Sequence, residues 1–348
     1  MNILSLFGGI ECGYNSFINN NIQIDKYYSC EIDKYAKSIS RYNIKDIIEL
    51  GDINNVDFTK IKDIDIIIGG SPCFVAGSKV LTINGYVNIE DVKVDNSYTI
   101  NNFVVHNCTF WSIAKNNREI TNEGIGYELF MQYVRAFKET GAKYFIYENN
   151  YSIHDDIKKS ITNELGVDYI MINSSKVSAQ NRRRCYWTNI PGVCQPEDKQ
   201  LNVNDILEPL VDIKYFIDNN TVINQYKISN KPANILSLNY NDTPVRLGSF
   251  NKGGQGDRVY WVYGKSVALS ANGGGRGAKT GLYYINNKIR RLTPVEAERL
   301  QTLPDNWTKY GLDEKGNVIS ISDSQRLKVC GNGWTSNVIT HILSFLNK

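Results

Sequence analysis

Histidine is nearly absent from this chain, with three in 348 residues, and the seven cysteines form no Cys-x-x-Cys pair. The usual ligand sets of a structural zinc site are therefore missing, the spacing offers no disulfide framework, and no metal is expected. There is no basic leader either, because Met1-Asn2-Ile3-Leu4-Ser5-Leu6-Phe7 opens directly on apolar residues. No apolar run approaches the roughly 20 residues that span a bilayer. From these features a cytosolic protein is expected. Excess charge is scarce too: a net +3 is compatible with a polyanionic partner but does not demand one. What is present is a hydrophobic content of 42% over 348 residues, enough for one large domain and a smaller one.

Strand-like and helix-like segments alternate. Residues 2–7 read as a short strand entering a glycine turn, 13–19 as a helix, 24–29 as a second strand ending at Glu31, and 34–42 as a helix. Residues 47–50 form a third strand leading into Gly51-Asp52, and 64–68 a fourth. This succession predicts an α/β fold, a doubly wound, mostly parallel sheet covered on both faces, with ligands at the carboxyl ends of its strands. Further on, 126–140 is an amphipathic helix and 144–147 a strand delivering Glu148. From about Cys194 to Ile285 the segments become short and rich in Asn and Gly, which predicts a smaller irregular domain over 194–285, between a main domain over 1–193 and its return over 286–348. The return begins with a helix over 294–300, capped by Thr293 with Glu296 in its first turn.

A strand, a glycine turn and an acid closing the next strand suit a nucleoside ligand, because the Glu31 carboxylate can accept both ribose hydroxyls. Phe7-Gly8-Gly9-Ile10-Glu11-Cys12-Gly13 is not a GxGxxG match, since Ile10 takes the second glycine position, and a dinucleotide is disfavoured. The run Gly274-Gly275-Arg276-Gly277-Ala278-Lys279-Thr280 likewise fails as a nucleotide P-loop, because Ala278 replaces the glycine before the lysine.

Two half-signatures flank an insert. Gly69-Gly70-Ser71-Pro72 ends the apolar run, and Cys108-Thr109-Phe110-Trp111-Ser112 follows only after residues 73–107. Joined, they read Gly-Gly-Ser-Pro-Cys-Thr-Phe-Trp-Ser, which resembles the active-site loop of the C5-cytosine DNA methyltransferases. Four further stretches resemble that family in its own order. They are Tyr147-Glu148-Asn149-Asn150; Gln180-Asn181-Arg182-Arg183-Arg184; the segment from Arg291 to Pro304; and Gly331-Asn332-Gly333-Trp334-Thr335-Ser336-Asn337-Val338. Glu31-Ile32-Asp33-Lys34-Tyr35 is similar in wording to bacteriophage enzymes and to eukaryotic de novo methyltransferases.

The resemblance implies a methyltransferase-type sheet, S-adenosylmethionine as cofactor and double-stranded DNA as partner, in a monomer of the cytoplasm or of a phage host's cytoplasm. It assigns Phe7, Gly9, Glu31, Asp52 and Asn337 to the cofactor, although family members carry Asp or Ser where Gly8 stands. The chemistry needs a thiolate to add at cytosine C6, which Cys108, or Cys73 in an uncut chain, would supply. It also needs an acid at N3, a step suited to a carboxyl that burial keeps protonated, and Glu148 has that place. Arg182 and Arg184 would hold the pyrimidine carbonyl and a nearby phosphate, with period-two spacing directing Gln180, Arg182 and Arg184 to one face. Segment 194–285 is implied to be a target-recognition domain, with Lys252, Arg258, Lys265, Arg276 and Lys279 as candidates for phosphate contact.

The insert has a resemblance of its own. Its start, Cys73-Phe74-Val75-Ala76-Gly77-Ser78, and its end, Val105-His106-Asn107 before Cys108, are similar to the terminal splicing blocks of inteins. It lacks their internal Thr-x-x-His block and is shorter than chains that usually build a stable core unaided, which implies a remnant deficient in splicing. Three alternatives stay open: an RNA cytosine methyltransferase, a DNA-binding protein inactivated by the insert, and a self-splicing precursor.

Overall fold

The computed structural model describes residues 1–71, 124–217, 242–251, 253–271 and 273–347, together with strand backbone at 79–82, 85–88, 99–100, 103–104 and 227–228. Its centre is a seven-stranded sheet. In chain order the strands are β1 (Asn2–Leu6), β2 (Lys26–Cys30), β3 (Ile48–Glu49) and β4 (Ile66–Gly69). After two short hairpins, β5 (Lys79–Thr82) with β6 (Gly85–Asn88) and β7 (Thr99–Ile100) with β8 (Phe103–Val104), come β9 (Tyr144–Asn150), β10 (Tyr169–Asn173) and β11 (Arg183–Thr188). The order is β10-β11-β9-β4-β1-β2-β3, and all strands run parallel except β11. The chain leaves β1 towards β2 on one side and later returns to β4 on the other. That reversal opens a crevice at the carboxyl ends of β1 and β4, where ligands of doubly wound sheets bind.

Period-two alternation fills both faces. Leu4 and Leu6 of β1, Ile67 of β4, and Phe145 and Tyr147 of β9 pack with Phe130 and Tyr133 of α3 (Ile125–Thr140) and Ile157 and Ile161 of α4 (Asp155–Leu165). The intervening residues Ile3, Ile66, Ile68 and Ile146 meet Phe17 of α1 (Cys12–Asn19) and, from the far end of the chain, Val338 and Ile342 of α7 (Ser336–Leu343). Residues buried on both faces explain why these strands read as apolar runs rather than alternating patterns. Glycines in the left-handed region, Gly141 (φ 64°) and Gly166 (φ 69°), end α3 and α4.

The return segment is stitched to the start of the chain. Asn15 Nδ2 donates to Ser336 Oγ at 2.9 Å, Ser16 Oγ to the Ser336 carbonyl at 2.9 Å, and Asn20 Nδ2 to the Thr340 carbonyl at 2.9 Å. Helix α5 (Pro294–Leu300) carries the expected cap: Thr293 Oγ1 accepts from the Glu296 amide while Glu296 reaches back to the Thr293 amide. Helix α6 (Asp323–Asn332) follows, and its Lys328 pairs at 3.0 Å with Asp33, the N-cap of α2 (Lys34–Asn43).

A second sheet is built from β12 (Lys227–Ile228), β13 (Arg246–Ser249), β14 (Arg258–Trp261), β15 (Leu282–Ile285) and β16 (Lys288–Arg290). Its Tyr260 and Tyr283 share one cluster with Ile10 and Ile39 of the first half and with Leu292 and Leu300 of the return. Lys265 clamps this junction. Its ammonium group donates to the carbonyls of Ser175 (2.6 Å), Ser178 (3.0 Å) and Leu201. Among the described residues no helix is long and apolar enough to cross a membrane, and no group of three or more His, Cys, Asp or Glu is placed to hold a metal ion.

Candidate active site

The crevice has two sides. On the β1 side, the chain leaves the strand through left-handed residues at Phe7 (φ 57°), Gly9 (φ 58°) and Glu11 (φ 55°). Glu31, just past β2, accepts the Gly9 amide on one oxygen at 2.8 Å and the Ile32 and Asp33 amides on the other at 2.8 and 2.7 Å. Burial raises its pKa above the ordinary glutamate value, opposed by these amides. A carboxylate offers about four lone-pair sites, so three amides leave room for one ribose hydroxyl in this rotamer rather than the two expected. Past β3, Asp52 accepts the backbone and side-chain nitrogens of Asn54 on Oδ1, at 3.0 and 2.9 Å. Around Gly9 and Gly51 a side chain would meet nothing within 4 Å. Two acid-bearing turns that face open space fit a nucleoside cofactor.

Gly8 behaves differently. A Cβ there would lie 2.0 Å from Glu11 Oε1 and 2.6 Å from Ser5 Oγ. The Glu11 carboxyl thus fills the place of a side chain at position 8. Trp307 Nε1 donates to the Ile10 carbonyl at 2.9 Å, and the Trp334 backbone amide donates to Cys12. Gly333 allows that approach, since a Cβ on it would come within 3.0 Å of Cys12 Sγ. Asn337 lies one turn further on and half-buried, its amide held by Thr302 Oγ1 at 2.8 Å. The residues of the return segment that brace the cofactor turn are therefore Trp307, Gly333 and Trp334, of which only Trp307 lies outside the motifs quoted from sequence. An isolated acid inside the apolar stretch from Phe7 to Cys12 was the available signal for Glu11.

On the β4 side, Gly70 runs against Glu148 so closely that a Cβ would sit 2.5 Å from the Glu148 carbonyl oxygen and 3.0 Å from its Oε2. Ser71 Oγ is 2.7 Å from the Tyr147 hydroxyl, and Asn149 Nδ2 donates to that hydroxyl at 3.2 Å. Glu148 pairs with Arg184 Nε at 2.7 Å, both side chains largely buried. Arg184 thus pairs with Glu148, whereas Arg182 has other hydrogen-bond partners. Arg182 is buried and donates to the carbonyls of Gly331 (3.4 Å) and Gly333 (3.0 Å), its pKa lowered to about 10 by burial and by Arg184. Gln180 accepts the Leu269 amide and turns to Leu300 and Gln301. β11 starts at Arg183, so Gln180 and Arg182 precede the strand.

Cys73, Cys108 and Lys252 lie outside the described residues. Of the described cysteines, Cys12, Cys30, Cys185 and Cys330 are buried and only Cys194 is exposed. Burial pushes the Cys12, Cys30 and Cys185 thiols up to about 12 and Cys330 well above the ordinary value. Among the expected phosphate contacts, Lys265 is corrected: it is fully buried on carbonyls, and desolvation lowers its pKa to about 8. Arg276 pairs with Asp257 at 3.3 Å, and Lys279 lines a surface pocket with Lys214, Arg291 and Asp323.

A mostly parallel sheet whose glycine turn fits a nucleoside, beside a buried carboxylate–guanidinium pair, is the architecture of a methyltransferase-type α/β enzyme. The chain belongs to the C-5 cytosine-specific DNA methylases, whose family model matches residues 1–77 and 106–348. Its reaction is S-adenosylmethionine-dependent methylation of DNA cytosine at C5. It is 30% identical over 330 residues to the Type II methyltransferase M.HhaI of Haemophilus parahaemolyticus, covering 90% of this chain and 85% of that protein. It is 24% identical over 346 residues to the orphan methyltransferase M.Rho11sI of Bacillus phage rho11s, covering 83% of this chain and 61% of that one. The fold is similar to that of the Entamoeba histolytica methyltransferase EhMeth, with a TM-score of 0.62 at 14% identity, covering 99% and 97% of the two chains.

Proposed function

We propose that this chain methylates duplex DNA through a cysteine thiolate at the residue following Pro72, with Glu148 and Arg184 on the pyrimidine and Phe7, Gly9, Glu31 and Asp52 on the cofactor. The observation that carries the reading is the contact of Gly70 with Glu148: the backbone three residues before that cysteine lies against the acid meant for cytosine N3. The thiolate forms a bond to C6, C5 takes the methyl group, and loss of the C5 proton then breaks the sulfur–carbon bond. S-adenosylmethionine, when bound, supplies the electrophilic methyl. Glu148 donates to N3, Arg184 fixes the Glu148 carboxyl and reaches the pyrimidine oxygen, and Arg182 acts as a positioning residue by tying β11 to the glycines of the return segment. Asn337 closes the cofactor pocket from α7.

The four buried thiols are held protonated, which favours Cys73 or Cys108 as nucleophile. Residues 73–107 are read as a splicing-deficient intein remnant, supported by their terminal residues and by a family match that falls on both sides of 78–105. Segment 194–285 acts as target-recognition domain of a cytoplasmic monomer, with Arg258 and Lys279 offered to phosphates, and the phage relative is consistent with a phage origin.

Two measurements test this. Intact mass decides whether 73–107 are excised. In a chain from which they are removed, DNA containing 5-fluorocytosine should trap a covalent adduct at Cys108, abolished by Cys108→Ser. The uncut chain should methylate little or not at all, since displacement of the nucleophile by about 1 Å already costs on the order of a hundredfold. Robust turnover by an uncut Cys108→Ser protein would transfer the role to Cys73.

A further inference from the structure

Glu11 is the one described acid at the crevice whose carboxyl is fully enclosed by neutral hydroxyl donors. It receives Ser5 Oγ of β1 (2.7 Å), Tyr27 OH of β2 (2.7 Å) and Ser29 Oγ of β2 (2.5 Å). The titratable groups facing it are all neutral or acidic: Tyr27 and Cys30 from β2, Cys12 from α1, and Glu31 beyond β2. Among the described residues no cation forms a hydrogen bond or ion pair with it; Arg182 and Arg135 are oriented towards other partners near Cys12 and Cys30. Its amide is held by the Gly8 carbonyl at 3.0 Å, and its carboxyl lies directly beneath Gly8, next to the Gly9 turn that faces open space.

Burial raises this carboxyl from 4.5 to about 7, with the three hydroxyls opposing the rise. A protonated carboxyl fits the same cage, because serine hydroxyls accept as readily as they donate. Both protonation states are therefore accommodated without rebuilding the turn.

We propose that Glu11 is a proton-linked positioning residue of the cofactor pocket, ionised while the cationic methyl donor is bound and protonated again once the neutral demethylated product remains. The inference rests on the S-adenosylmethionine reading above. The donor carries one more positive charge than S-adenosylhomocysteine, and a buried carboxyl without a cationic partner, beside a site from which water is expelled, is stabilised further by that charge. The proton leaves to solvent on donor binding and returns from solvent after methyl transfer, so the cycle balances. A pocket built in this way holds the donor more tightly than the product above neutral pH and loses that preference as the medium becomes acid.

The test is calorimetric titration of the full-length protein with S-adenosylmethionine and S-adenosylhomocysteine, in two buffers of different ionisation enthalpy. If the bound charge lowers the Glu11 midpoint by about one to two pH units, donor binding near neutrality releases roughly half a proton beyond that seen with product. Donor affinity should then fall roughly five- to tenfold between about pH 8 and pH 6, with product affinity nearly flat. Glu31, also raised by burial, feels the same charge, and the loss of the difference in Glu11→Gln separates the Glu11 contribution from it. Glu11→Gln, which keeps the shape and the hydroxyl contacts, should abolish the extra proton release and the differential pH dependence. Equal proton release for donor and product in the unsubstituted protein overturns the proposal without any variant, as does full retention of the difference in Glu11→Gln. Failure to bind either ligand overturns the cofactor reading itself.

Discussion

Replacing Glu31 by glutamine tests the cofactor turn with almost no change of shape. The carboxylate satisfies three amides on two oxygens: Gly9 on one side, Ile32 and Asp33 on the other. Glutamine has one oxygen and one NH2 group. Whichever way it is turned, an N–H donor faces either the Gly9 amide or the Ile32–Asp33 pair, and at least one charge-assisted bond is exchanged for a donor–donor contact. Losing such a bond costs about 1.5–3 kcal/mol, which corresponds to a fall in S-adenosylmethionine affinity of about 10- to 150-fold. Titration calorimetry on the full-length chain measures this, since every residue involved lies outside 73–107. S-adenosylhomocysteine should weaken in parallel, because the ribose is common to both ligands. Unchanged affinity, with a folded circular-dichroism spectrum, would remove Glu31 from ribose recognition; weakening of the donor alone would assign it to the methyl donor's charge instead.

Three further outcomes follow from the geometry. Gly70→Ala places a Cβ 2.5 Å from the Glu148 carbonyl, and relief of about 1 Å should lower methyl transfer by on the order of a hundredfold while leaving cofactor affinity intact; wild-type turnover in a chain lacking 73–107 would contradict the placement of Glu148. Arg184→Met leaves the buried Glu148 carboxyl without its partner, which should cost about 3–5 kcal/mol in denaturant unfolding; a loss below 1 kcal/mol would mean that Glu148 finds another partner. Glu11 has a folded-state pKa near 7 against 4.5 in the reference state. Because it is raised, its contribution to stability is complete below about pH 4.5 and is lost as pH rises through 7, by at most about 3 kcal/mol. Unfolding of Glu11→Gln should therefore lack that decline, and identical pH profiles for the two proteins would refute the burial argument.

Much was legible in the chain because local signals and burial agreed. Apolar runs at 2–6 and 64–68, the acid at the end of the second strand, and the Thr293–Glu296 capping box each state a local preference that the packed structure kept. Strand limits were set by partners instead. β2 starts at Lys26 because Asn2 pairs with it, β4 starts at Ile66 because it aligns with Ile3, and β9 extends to Asn150 because Arg184 lies opposite.

Sequence alone determined the family and the order of the motifs and put Glu31 and Glu148 forward as candidates, since those depend on which chemical groups occur and in what succession. Tertiary structure decided which of them meet. Arg182 and Arg184 are two residues apart in a run of arginines, yet one is spent on Gly331 and Gly333, 149 and 151 positions away, and the other on Glu148. Lys265, a candidate for phosphate by composition, is enclosed by carbonyls from three distant residues. Glu11 acquired its role only when β1 and β2 brought Ser5, Tyr27 and Ser29 around it. Hydrogen-bond partners and the loss of water around a charge are properties of assembled neighbours, and no local pattern encodes them.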